Sequence, residues 1–316
     1  MSGEGILWIV FGILIPVMLI LDLGVFHRRA HTVKIKEALI LSAMWISLAL
    51  LFNLGVYLLV GHEKALNFLT SYLVEESLSV DNLFVFLLIF TYFSVPAEYQ
   101  HRVLFWGILG AIVMRGIFIV TGLTLLSRLH WIIYIFGAFL IYTAARLALS
   151  KEEQEIRPEK NPVLRLFRRF VPMTKRYHGQ RFLVKGMGRR LATPLLLVLV
   201  VIETTDIIFA MDSVPAVLAI TQDPFIVYTS NILAVMGLRA LYFALASVIG
   251  KFYYLSYGLA IILGFLGVKM VISDFYKLPI TISLGVVVGI LIIAALLSLI
   301  RRRIHPEPEE EVSGEE

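Results

Sequence analysis

The stretch VEESLSVDNLFVF, residues 74–86, lies inside an apolar run long enough to cross a membrane, yet it carries Glu75, Glu76, Asp81 and Asn82 within eight positions. A second stretch of the same kind, VIETTDIIFAMDSVPAVLAI at 201–220, holds Glu203, Asp206 and Asp212. At the centre of a spanning helix an acid costs about 2.5–3.5 kcal/mol, and each Leu, Ile, Val or Phe returns about 0.3–0.6 kcal/mol. Three acids, at about 8–10 kcal/mol, cancel most of what about fifteen apolar residues supply. Such helices are expected to turn these groups toward protein or a cavity, not toward lipid.

Working outward, 59% of the 316 residues are hydrophobic and 16% charged, a balance that fits a polytopic membrane protein and excludes an ordinary soluble domain. Apolar runs of about 20 residues match the hydrocarbon thickness. They predict an all-α bundle of about nine transmembrane helices at 6–26, 37–60, 69–94, 103–126, 129–149, 193–220, 225–249, 254–273 and 278–300. No Lys or Arg precedes the first run, which contains Pro16 and is followed by no small-residue cleavage site, so it reads as a retained helix. Cysteine is absent, which leaves no disulfide or thiolate site, and the seven histidines fall in loops or at segment ends. A buried metal site would therefore be built from oxygen.

Basic residues flanking a span resist translocation, so their distribution sets orientation. With the N-terminus outside, 21 Lys and Arg fall on the inner side and only Lys64, Arg128 and Lys277 on the outer. This predicts an N-out, C-in topology and an odd number of spans. Twelve of the basic residues lie in the 150–192 loop, whose expected contact is with anionic headgroups. The loop has no recognised nucleic-acid motif, and nucleic acid is not an expected partner. The tail 301–316 ends in an acidic, Pro-containing run expected to be disordered. Trp8, Trp45, Trp106 and Trp131 read as interfacial anchors.

A repeat lies within the spans. FWGILGAIVMRGIF at 105–118 aligns with TSNILAVMGLRALY at 229–242, placing Arg115 over Arg239. Asp81 overlies Asp206 at a shift of 125, and Arg146 overlies Lys269 at 123. A competing register of 131 sets Glu75 over Asp206 and Asp81-Asn82 over Asp212-Ser213. Helices three to five thus recur as six to eight, and a displacement of three crossings inverts the second copy, an architecture of secondary transporters with midplane sites. The expected organisation is two peripheral helices (1–68), a first repeat (69–149), the basic cytoplasmic loop (150–192), a second, inverted repeat (193–273), a last helix (274–300) and the tail (301–316).

Helical geometry sorts the polar groups. Glu75, Ser79 and Asn82 share a face, with Asp81 about 120° away; Glu203, Asp206 and Ser213 share another, with Asp212 about 120° from Asp206. Pro215 cannot donate to the carbonyl of Met211, which adds a free oxygen and predicts a kinked or unwound helix. Carboxylates, an amide, hydroxyls and a carbonyl form the oxygen shell preferred by Mg²⁺, Ca²⁺ or Mn²⁺. The competing reading pairs the acids with Arg115, Arg146, Arg239 and Lys269 merely to hold the bundle together. Four cations against Glu75, Glu76, Asp81, Glu203, Asp206 and Asp212 leave a deficit that a divalent ion or protons could close. Protonation of the acids would let a proton gradient drive metal movement. There is no His base, Cys nucleophile or HExxH pattern near the acids, so an enzyme is not expected.

The segments EESLSVDNLFVF from Glu75, with Glu76 at a variable position, ETTDIIFAMDSVPA at 203–216 and SNILAVMGLRALYF at 230–243 resemble the TerC/Alx family of integral membrane proteins. The resemblance runs from about Asp22 to about Leu299. It implies a multi-pass bacterial inner-membrane protein related to the LysE-type transporter superfamily, with members associated with Mn²⁺ export, alkaline-pH response and tellurium resistance. Carried over, the metal-handling residues are Glu75, Asp81, Asn82, Glu203, Asp206 and Asp212. Ser79, Ser213, Arg115, Arg239 and Lys269 stand around them as supporting groups or counterions. Mn²⁺ as the transported ion comes from the resemblance; Ca²⁺ and Mg²⁺ rank behind it. The alternatives are a membrane scaffold acting through its basic loop, or a tellurium-resistance component without transport. The sequence leaves the oligomeric state open.

Overall fold

The computed structural model describes residues 2–21, 35–129, 131–149, 171–174, 176–186, 189–246, 254–273, 275–276 and 278–304. Asp22, residues 150–170, Asp274, Lys277, the tail from 305 and the side chain of Asp81 lie outside the described residues. Among the described residues nine helices form: α1 Gly3–Leu21, α2 Ile35–Leu59, α3 His62–Tyr92, α4 Ala97–Arg128, α5 Ile132–Leu149, α6 Pro194–Leu218, α7 Pro224–Ala246, α8 Leu255–Val271 and α9 Ile280–Ile304. Each coincides with one expected span, although α3 begins well before 69 and α4 before 103. Seven are long and apolar enough to cross a membrane, so the chain is a polytopic helical membrane protein. The other two are α3, which carries the acid-rich motif, and α8, which has 17 residues.

Local chemistry fixes the helix starts. Glu4, Glu37, Glu63 and Glu98 lie in the first turns of α1 to α4, where the helix dipole favours negative charge. Asp223 caps α7, its Oδ1 accepting the Phe225 N–H at 3.0 Å and the Ile226 N–H at 3.4 Å, with Pro224 at the first helical position. Lys64 bridges Glu4 at 2.8 Å and Asp223 at 2.6 Å, so the N-terminal ends of α1, α3 and α7 share one side of the bundle.

The bundle is built around α7. Its apolar window is 89% buried, against 17% for those of α1 and α9, and it packs on α1, α2, α3 and α4. The closest helix pairs are α5 with α8, α3 with α7, and α4 with α6; α3 also meets α6, and α4 meets α7. Ile13, Ile40, Leu58 and Ile293 are exposed on the periphery, a surface suited to lipid. Trp8, Trp106 and Trp131 are exposed, but Trp45 is buried against α7, so it is a core residue and not an interfacial anchor. Pro215 falls in the last turn of α6, and the helix runs unbroken to Leu218. The proline removes a donor without unwinding the span, because less than one turn follows it.

Two glycines set the α5–α8 contact. A Cβ on Gly267 would lie 2.8 Å from the Gly137 carbonyl oxygen and 3.0 Å from the Ile141 nitrogen, both backbone atoms that cannot swing aside. Small residues permit this close approach of membrane helices. Gly267→Val is expected to force the pair apart and to destabilise the fold by about 1–3 kcal/mol. Thermal unfolding in detergent measures this as a lowered midpoint; an unchanged midpoint would contradict the close packing.

β1 (Leu183–Gly186) and β2 (Arg189–Ala192) form an antiparallel hairpin with Leu183 opposite Ala192, and Thr193 leads directly into α6.

Candidate functional site

The face expected on α3 is buried: Glu75 and Ser79 are fully enclosed and Asn82 nearly so. Opposite it, α6 presents Asp206 and Ser213, also buried. Between them stands Arg115 of α4, 0% exposed and among the largest fully buried side chains. One terminal nitrogen of Arg115 forms an ion pair with Glu75 and donates to Ser213 Oγ and to Asn231 Oδ1, each at 3.3 Å. The other lies 3.5 Å from Asp206 Oδ1. Asn231 of α7 closes the ring by donating its amide N–H to Glu75 Oε2 at 2.8 Å. Four helices therefore meet at one guanidinium flanked by two carboxylates.

Burial of a charge without a partner is costly, so each member of this cluster requires the others. Asn231 supplies what a single arginine cannot: it donates to one carboxylate oxygen and accepts from the guanidinium at once. Sequence reasoning missed it. The available signal was an amide, preceded by Thr229 and Ser230, inside an apolar span; those two hydroxyls bond back to the carbonyls of Phe225 and Ile226, each at 2.7 Å, and stay within the helix.

The remaining expected residues are placed as follows. Glu203 is half-buried and packs across Gly110 of α4, where an added methyl would overlap its carboxylate. Asp212 is half-buried and turned to α5, accepting from Thr143 Oγ1 at 3.2 Å. Arg239 is nearly buried and lines a small cavity with Asp206, Phe86, Leu104, Gly107 and Ile202. Lys269 is half-buried on α8. Glu76 leaves the Glu75 face, and its carboxylate lies beside Gly237 of α7. The structure thus joins Glu75, Asp206, Ser213 and Arg115, and does not add Glu203 or Asp212 to the ring. The expected part of Asp81 in the metal site falls outside the described residues; it is Glu75 that shares an arginine with Asp206. Among the described residues, no three His, Asp or Glu side chains assemble into a group that could hold a metal ion.

These features define a polytopic helical membrane protein with a carboxylate–guanidinium cluster at the meeting of four helices. The chain belongs to the TerC family of integral membrane proteins, whose profile matches residues 60–305. It is 51% identical over 304 residues to "Uncharacterized membrane protein STKORF319" of Myxococcus xanthus, covering 96% of this chain and 95% of the relative. It is 48% identical over 305 residues to "Putative membrane-bound redox modulator Alx" of Escherichia coli (strain K12), covering 94% and 95%. A membrane protein of Rickettsia bellii is 37% identical over 298 residues, covering 94% and 98%. No solved structure matches the chain.

Proposed function

We propose that the chain is a divalent-cation transporter of the bacterial inner membrane, with Mn²⁺ as its exported substrate. The observation that carries this reading is the pair of buried carboxylates, Glu75 on α3 and Asp206 on α6, that share the single guanidinium of Arg115. Two carboxylates share the Arg115 guanidinium, and a second guanidinium, that of Arg239, lines the cavity beside Asp206. The oxygens around that guanidinium come from Glu75, Asp206, Ser213 and Asn231, a hard donor set of the kind that suits Mn²⁺, Ca²⁺ and Mg²⁺. Arg115 acts as a tethered cation in the empty protein, and Mn²⁺ competes with it for the same carboxylates. Metal binding then changes the contacts between α4 and the α3–α6 pair, the differential interaction that a conformational switch requires.

Packing supports alternating access between two inverted halves, α3–α5 and α6–α8. Exchange of α3 with α6, α4 with α7 and α5 with α8 turns the α3–α7 contact into α6–α4, while α5–α8, α3–α6 and α4–α7 map onto themselves. Glu75 beside Asp206 favours the 131 register. The proposal retains nine spans, N-out and C-in, and allows protons on the acids to drive the cycle. The redox role in the Escherichia coli relative's name would not run through thiols of this chain, which has no cysteine.

The test is transport into inside-out vesicles: Mn²⁺ accumulation above that of empty vesicles supports the reading, and equal accumulation overturns it. Gly110→Ala refines it. The added methyl displaces the Glu203 carboxylate, the movable end of a side chain, so the fold is retained while Mn²⁺ transport falls several-fold if Glu203 lines the path. Unchanged transport would remove Glu203 from it.

A further inference from the structure

We infer that the hairpin preceding α6 is a binding site for the headgroup of an anionic phospholipid. Residues 171–192 contain six Lys and Arg and no Asp or Glu. They are not a loose tether. The Thr174 N–H bonds to the Ala192 carbonyl and the Ala192 N–H to the Pro172 carbonyl, each at 2.9 Å, and Thr193 Oγ1 donates to the Arg181 carbonyl at 2.7 Å. The folded segment is fastened to the helix ends. Tyr177 OH donates to the Phe93 carbonyl at the C-cap of α3 at 2.7 Å, and the Arg102 guanidinium of α4 lies 5.3 Å from the Phe182 ring centre. Met173, Tyr177 and Phe182 pack on the helical core. Burial pushes the Tyr177 phenol up from its ordinary value, so it remains a donor throughout the neutral range.

This anchoring fixes the height of the hairpin. Its roots are the end of α3 and the start of α4 and α6, so strands of about 13 Å lie at the membrane edge. Arg181 and Lys185 are exposed there, and with His178, Leu183 and Val184 they line an open depression. Leu183, 48% exposed, places an apolar side chain beside the two cations. A phosphodiester with acyl chains matches both halves of that surface: the phosphate pairs with Arg181 and Lys185, and the chains run past Leu183. The inference is independent of the transport reading.

The test is native mass spectrometry of the full chain in detergent, titrated with phosphatidylglycerol or phosphatidylcholine. Retention of phosphatidylglycerol over phosphatidylcholine is expected, weakened about 30-fold in the Arg181→Gln/Lys185→Gln variant. Arg181→Lys, which keeps the charge, retains binding, and matching thermal midpoints establish that the fold is intact. Equal retention of the two lipids, or an unaffected double variant, would overturn the proposal. So would displacement of the lipid by millimolar inorganic phosphate, which would assign the depression to a free anion.

Discussion

Arg115→Met is expected to lower the stability of the protein by about 3–5 kcal/mol, the usual consequence of removing one partner from a buried ionic cluster. The guanidinium is fully buried, and its loss removes the cation that Glu75 and Asp206 share. Asn231 cannot compensate, since its amide already donates to Glu75 and its carbonyl oxygen loses its donor. Combining Arg115→Met with Glu75→Gln and Asp206→Asn removes all three charges and is expected to restore most of the lost stability. Thermal unfolding of the purified proteins in detergent measures both. A single variant as stable as the parent, or a triple variant no better than the single, would show that the cluster is not the coupled unit described above.

The second large effect concerns function. Asp206→Asn and Glu75→Gln keep size and shape while deleting one carboxylate charge, so each is expected to fold and to lose Mn²⁺ transport. In Mn²⁺-sensitive cells the parent is expected to lower intracellular Mn, and either variant to leave it at the level of cells without the protein. Asp81→Ala is expected to behave in the same way. Retained export in the Glu75 and Asp206 variants would separate the cluster from transport and leave it a structural fastening.

Much of the bundle was legible because its elements are periodic, apolar and bounded by charge or proline. The acids on α3 and α6 could be assigned to faces from helical spacing, and the burial of Glu75, Asp206 and Ser213 follows that geometry. The pairing of faces was not legible. Periodicity does not say that Arg115 reaches both acids, nor that Asn231 completes the ring, because these contacts join four different helices, the Asn231–Glu75 pair across 156 positions. Trp45 illustrates the same limit: an indole in an apolar span suits an interface or a core equally well until its neighbours are known. The hairpin was hidden by composition, since its basic residues read only as a loop beside anionic headgroups, while Met173, Tyr177 and Phe182 hold it to the helices.

The central claim is that Mn²⁺ and the Arg115 guanidinium take turns at the same carboxylates in the interior of the bilayer. Anomalous scattering from crystals grown with Mn²⁺ measures this directly. One peak is expected between α3 and α6, within coordination distance of Glu75 and Asp206, with the guanidinium withdrawn from both. Arg115 still paired with both acids in the presence of Mn²⁺, with no peak between those helices, would contradict it.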